Sequence, residues 1–219
     1  MPRSCRIVVL ISGTGSNLGA MIEATRSRRV AGEIVGVVSN RADALGLTLA
    51  ESAGIASAVV PHRDFPDRES YDTALGTRID QFAPDLIVLA GFMRILTSGF
   101  VAAYQGRMLN IHPSLLPAFK GLQTHQRALA AGATEHGASV HWVTPDLDGG
   151  PVILQARLSV APTHTSDTLA ADVLALEHQI YPIVVGWFCD GRLSLGEGAV
   201  VFDGRRLEQP LLFEPPKAS

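Results

Sequence analysis

Long hydrophobic runs, blocks of basic charge and closely spaced cysteines are all missing from this 219-residue sequence. No apolar run approaches the ~18 residues that a membrane span needs. Arg3 and Arg6 precede an apolar run of only Ile7 to Ile11 before Gly13 arrives. A secretory signal core needs at least ~7 such residues, so no targeting segment is read here. The 18 Lys and Arg residues stand against 21 Asp and Glu, a net charge of −3, with no basic block. Nucleic acid held by bulk charge is therefore not an expected partner. Cys5 and Cys189 lie 184 positions apart, and neither has a CxxC motif or a metal-ligand spacing around it. That usage fits a reducing cytoplasm and predicts no metal site. Walker, HExxH and GxSxG motifs do not occur.

What is present is apolar. Hydrophobic residues make up 47% and charged residues only 18%, which excludes a disordered chain. A chain of this length buries a full core without staples. Residues 6–12, 33–39, 56–60, 85–90 and 108–112 read as short buried strands. Between them, three sets recur at helical spacing: Leu18, Met21, Ile22 and Thr25; then Leu45, Leu49 and Ala53, stopped by Gly54; then Tyr71, Leu75, Ile79 and Phe82, stopped before Pro84. Strands alternating with helices predict a parallel sheet. The runs 138–143 and 152–160 leave no room for a crossover helix and predict an antiparallel pair. A long helix follows over 167–188, with Pro182 as a kink. Residues 203–219 read as a surface hairpin and a loose tail, and the first four residues as a frayed end. The fold class expected is one α/β domain, a mixed and mostly parallel sheet flanked by helices with a Rossmann-like N-terminal half.

Several clusters carry chemistry. Gly13-Thr14-Gly15-Ser16-Asn17 lies between the first strand and the first helix. Glycine lets the backbone approach a ligand, the helix start offers N–H groups to an anion, and Ser16 and Asn17 add donors and caps. A dinucleotide fingerprint would need Gly at Leu18 and an acid near Ser39-Asn40. A phosphate fits and NAD does not; the plainer alternative is a tight turn. Asn110 and His112 are two apart on a strand, so both point the same way at its carboxyl end. An amide beside an imidazole suits a reaction passing through an oxyanion, although a histidine at a strand end can equally be structural. Asp146-Leu147-Asp148-Gly149-Gly150 reads as a turn, or as the source of a carboxylate that orients an imidazolium. The stretch from Phe92 through Met93, Arg94 and Ile95 to Leu96 either lines an apolar slot for a flat heterocycle or starts a core-packed helix. Glu177 falls on the apolar stripe Val173, Ile180, Val184, where a carboxylate needs a partner.

The stretches ISGTGSNL, LAGFMRIL, LNIHPSLLPAFKG, HGASVHWVTPDLDGGPVI and LEHQIYP, in this order, closely resemble the phosphoribosylglycinamide formyltransferases of purine biosynthesis. The likeness runs from about residue 6 to about residue 206. It implies transfer of a formyl group from 10-formyltetrahydrofolate, a co-substrate, to the amine of glycinamide ribonucleotide through a tetrahedral oxyanion intermediate, with no metal. Asn110, His112 and Asp148 match the family's catalytic triad. Gly13, Thr14, Gly15, Ser16 and Asn17 match its phosphate loop, and Glu177 matches the glutamate on the ribose hydroxyls. Arg68, Met93, Arg94, Ile95 and Leu96, with Thr144, Pro145, Asp146, Leu147 and Asp148, match positions that contact the folate. The resemblance divides the domain into a nucleotide-binding half (about 1–105), a folate and catalytic half (about 106–205) and the tail (about 206–219). It leaves a homodimer open.

One departure stands out. Family members often carry His where this chain has Gln123. Gln can donate and accept a hydrogen bond but cannot titrate, so a proton role there falls away and a positioning role survives. Three other readings share parts of the pattern. A methionyl-tRNA formyltransferase should add a basic C-terminal domain, and a formyltetrahydrofolate hydrolase should add an N-terminal regulatory one. Neither is expected from about 30 residues after the last helix and a first strand starting by residue 6. A binding module with a dead site is opposed by the intact Asn110, His112 and Asp148.

Overall fold

A computed structural model describes residues 4–214 of the chain. Most of the expected frayed N-terminus and the last part of the tail lie outside these residues. The elements follow in the order β1 (Cys5–Ile11), α1 (Ser16–Arg26), β2 (Gly32–Ser39), α2 (Leu45–Ser52), β3 (Ser57–Val59), α3 (Arg68–Asp80), β4 (Leu86–Leu89), α4 (Ser98–Ala103) and β5 (Met108–His112). The second half adds α5 (Thr124–Ala130), β6 (Glu135–Trp142), β7 (Val152–Ser159), α6 (Ser166–Cys189), β8 (Leu193–Gly196), β9 (Ala199–Phe202), β10 (Arg205–Arg206) and β11 (Leu211–Phe213).

Eight strands form the main sheet in the order β11-β7-β6-β5-β4-β1-β2-β3. Pairings from β3 to β5 are parallel. The pairs β5–β6 and β6–β7 are antiparallel, so the sheet is mixed, as expected. The parallel strands read as unbroken apolar runs because both of their faces are buried. In β1, Ile7, Val9 and Ile11 join the core under α1 and α6. Val8 and Leu10 join the core under α3 and α4.

Three expectations need correction. The buried face of α2 is Gly46 and Ala50, while Leu45 and Leu49 are 65% and 40% exposed. The helix turns its smallest residue inward because a Cβ at Gly46 would come within 2.6 Å of Ile11 Cδ1. The tail is not loose over 211–213: β11 pairs in parallel with β7 and forms the edge of the main sheet. The hairpin is larger than expected, a three-stranded antiparallel sheet of β8, β9 and β10. The helix α6 carries Pro182 inside its 24 residues. There the proline ring removes the hydrogen bond that would reach back to the His178 carbonyl.

β1 is the switch point of the sheet, since the chain proceeds to β2 and β3 on one side and to β4 and β5 on the other. Crevices at the carboxyl ends of such strands hold the ligands of open α/β sheets. The loops after β1 and β4 both lie there, and the end of β5 is beside them.

The hairpin of β6 and β7 depends on Gly137. A Cβ there would sit 1.9 Å from the Ala156 carbonyl oxygen, contact that only a backbone shift relieves. Gly137→Ala is expected to destabilise the fold by about 3 kcal/mol in urea unfolding. A loss under about 1 kcal/mol would show that the strands do not meet in this register.

Candidate active site

The loop after β1 is shaped by close backbone packing. Gly15 adopts φ 77° as the residue that starts α1, with no side chain capping the helix. Ser16 is already the first helical residue, so it is not the expected cap. A Cβ on Gly15 would lie 2.7 Å from Gly46 Cα, and the Gly46 N–H donates to the Gly13 carbonyl at 3.0 Å. Two glycines thus let α2 lie backbone to backbone against the loop. Helix α1 has no acidic residue in its first turn, so its exposed N–H groups are open to an anion.

All five residues from Gly13 to Asn17 line a cavity of about 780 Å³. Asn40, Arg41, His62, Arg63, Met93 and Arg94 line it as well. The Met93 N–H donates to Ser12 Oγ at 2.8 Å, which ties the β4 loop to the end of β1.

Glu177 is buried on α6 and accepts from Asn17 Nδ2 at 2.7 Å. Asn17 Oδ1 is buried with no partner, so a ligand hydroxyl would supply the donor that it lacks. The carboxyl of Glu177 is pushed up to about 7 by burial, with the Asn17 hydrogen bond opposing.

The end of β5 carries the second cluster. His112 Nδ1 lies 3.4 Å from Asp148 Oδ2, and its Nε2–H donates to the Phe119 carbonyl at 3.0 Å. Both ring nitrogens face oxygen acceptors. Asp148 is itself fixed, accepting from the Gly121 N–H at 2.9 Å and adopting φ 47° at the turn before Gly149. Asn110 Nδ2 donates to His141 Nε2 at 3.1 Å. His141 Nδ1–H donates to the Trp142 carbonyl at 2.8 Å, so the neutral ring presents a lone pair to Asn110. Burial lowers the His141 pKa, more than Asp148 raises it. Asn110, His112 and Asp148 thus lie in one cluster, linked through His141, a residue that sequence reasoning did not assign. Its signal is positional: it stands opposite Asn110 in the β5–β6 register.

A cavity of about 100 Å³ adjoins this cluster, lined by Arg94, Ile95, Leu96, Asn110, His141 and the segment from Thr144 through Pro145, Asp146 and Leu147 to Asp148. Residues 92–97 form a loop, not the start of a helix. Met93, Ile95 and Leu147 are more than half exposed, which leaves apolar surface for a flat ring. Arg94 lines both cavities, its Nε buried without a partner. Arg68 is not brought to either lining; it is exposed at the first turn of α3. Gln123 is also exposed and starts α5 at φ 57° without a side-chain cap. Among the described residues no group of three or more His, Cys, Asp or Glu is arranged to hold a metal ion. No helix among them is long and apolar enough to cross a membrane.

Because Glu177 holds its proton more tightly in the folded chain than in the unfolded one, stability falls as pH rises from about 4.5 to about 7 and is level above that. Glu177→Gln removes this slope. The native protein is expected to lose about 3 kcal/mol relative to the variant between pH 4.5 and pH 8, read by urea unfolding across the range. Parallel pH profiles would place the Glu177 carboxyl in water.

The family model described as formyl transferase matches residues 5–185. The chain is 54% identical over 201 residues to the phosphoribosylglycinamide formyltransferase of Escherichia coli, covering 92% of this chain and 95% of that one. It is 43% identical over 199 residues to the human trifunctional purine biosynthetic protein adenosine-3, covering 91% of this chain and 20% of that longer protein. The solved phosphoribosylglycinamide formyltransferase of Coxiella burnetii superposes with a TM-score of 0.90 at 53% identity, covering 95% of this chain and 100% of that one. A glycinamide ribonucleotide transformylase from Symbiobacterium toebii gives 0.89 at 41% identity, covering 92% and 95%. With a family model spanning most of its length and relatives this similar end to end, the chain belongs to the formyl transferase family, among the phosphoribosylglycinamide formyltransferases.

Proposed function

We propose that this chain transfers the formyl group of 10-formyltetrahydrofolate to the amine of glycinamide ribonucleotide, in the cytoplasm, using Asn110, His112 and Asp148. The observation that carries the reading is the hydrogen-bonded cluster at the end of β5, separated only by β4 from the glycine loop after β1. In this reading residues 1–105 hold the nucleotide and residues 106–205 hold the folate and the chemistry.

The N–H groups of Gly13 to Asn17 bind the phosphate at the start of α1. Glu177 and Asn17 take the ribose hydroxyls, since they present a carboxylate oxygen and an unpartnered amide oxygen beside that loop. The heterocycle of the folate fits the apolar side chains of Ile95, Leu96 and Leu147. Arg94 offers a cation to a carboxylate from a position shared by both cavities. Arg68 reaches the ligand only from the rim, being exposed on α3.

Holding both substrates in one crevice supplies much of the rate. The amine nitrogen attacks the formyl carbon, a C–N bond forms, and negative charge develops on the formyl oxygen. Asn110 spends one amide hydrogen on His141 and keeps the second for that oxygen. His112, held at Nδ1 by Asp148, turns its Nε2–H from the Phe119 carbonyl to the same charge. Asp148 takes the surplus proton of the amine through water. Asp148 then passes that proton through water to N10, the bond from carbon to N10 breaks, N10 leaves as a neutral amine, and the oxyanion electrons re-form the carbonyl.

Mixing the purified chain with 10-formyl-5,8-dideazafolate should give an absorbance change only when glycinamide ribonucleotide is present. Turnover without the nucleotide would make water the acceptor and remove the need for the phosphate loop. His112→Ala should lower kcat by roughly 10²–10³ with nucleotide affinity nearly unchanged in calorimetry. Loss of the nucleotide as well would make His112 structural.

A further inference from the structure

The two cysteines stand far apart in sequence and against the same glycine in the fold. Cys5 opens β1 and pairs in register with Gly32 of β2. Cys189 is the last residue of α6. A Cβ on Gly32 would lie 3.0 Å from Cys189 Sγ and 3.2 Å from the Cys5 carbonyl oxygen. The missing side chain at position 32 is what lets the end of α6 bring its thiol to the start of β1. There the Cys189 S–H donates to the sulfur of Cys5. Both cysteines are thiols, and both are partly exposed. The pair sits at the amino end of β1, a strand length of about 20 Å from the phosphate loop at its other end.

We propose that Cys5 and Cys189 form an oxidative modification site, at which hydrogen peroxide converts the two thiols into an intramolecular disulfide. The Cys5 sulfur attacks one peroxide oxygen; the O–O bond breaks, and Cys5 becomes a sulfenic acid as water leaves. The Cys189 sulfur then attacks Cys5, an S–S bond forms, the S–O bond breaks, and a second water departs. The two thiols lose two electrons and the peroxide gains them. The order follows from the surroundings. The Cys189 thiol is held protonated by its hydrogen bond to Cys5, by burial and by the carboxylates of Asp190 and Asp85. Cys5 therefore reacts first and Cys189 resolves it. The bond would close a loop of 184 residues and tie β1 to α6 without touching the cleft.

The test uses the intact chain and hydrogen peroxide. After stoichiometric treatment the mass should fall by two hydrogens, and no thiol should react with N-ethylmaleimide. Peptide mapping should join Cys5 to Cys189 within one chain. The melting temperature should rise by about 5 °C or more over the reduced protein, because the cross-link restricts the unfolded chain; dithiothreitol should reverse the shift. Cys189→Ser should stop at a sulfenic acid on Cys5 that dimedone traps, and Cys5→Ser should consume peroxide far more slowly. Three results overturn the proposal: two thiols that still alkylate after excess peroxide, separate sulfinic acids on the two residues, or a disulfide formed only between chains.

Discussion

Asn110 stands opposite His141, and His112 opposite Ser139, across the antiparallel pair β5 and β6. The chemistry of the cleft hangs on this register. It hands Asn110 the lone pair of His141. It also makes Ser139 the anchor of the turn after β5. The Ser139 hydroxyl donates to the Ser114 carbonyl at 2.7 Å and accepts from the Leu116 N–H at 3.0 Å and from Gln155 Nε2 at 2.9 Å. That turn leads directly to Phe119, whose carbonyl holds one nitrogen of His112. A slip of one residue would reverse every side chain on β6 and take away both the orienting imidazole and the anchor.

The side of the cleft after β1 is built on different physics. Its loop packs backbone to backbone with α2, because Gly15 and Gly46 have no side chains where the two meet. What is costly there is charge. Glu177 sits in the core beside a single amide donor, and its burial disfavours the ionised carboxylate. A hydroxyl-bearing ligand adds donors that favour the ionised form.

The sequence was most legible where burial is symmetrical. The parallel strands stand out as apolar runs because both faces are covered, and β5 ends where expected, at His112. The short turn between β6 and β7 correctly announces an antiparallel pair. The inner face of α2 was misread because its contacts are made by Gly46 and Ala50, which carry no hydrophobic signal, while Leu45 and Leu49 face outward. Helices α4 and α5 have 6 and 7 residues, too few to establish a period. His141 is visible only once the pairing of β5 with β6 is known. The nearness of Cys5 and Cys189 needs the whole fold, because the elements that carry them are separated by nearly the full chain.

The edge strand β11 has a consequence for how the chain is made. Its partner β7 ends at Ser159, and β11 begins at Leu211. During synthesis the outer edge of β7 stays bare until some fifty further residues have left the ribosome, with N–H and C=O groups ready to pair with another strand. At roughly 5–20 residues per second, that interval is a few seconds. Over it, the nascent protein already owns a complete glycine loop after β1 and the β5 cluster but still offers a template for aggregation. The last few residues of the sheet act as its closing seam.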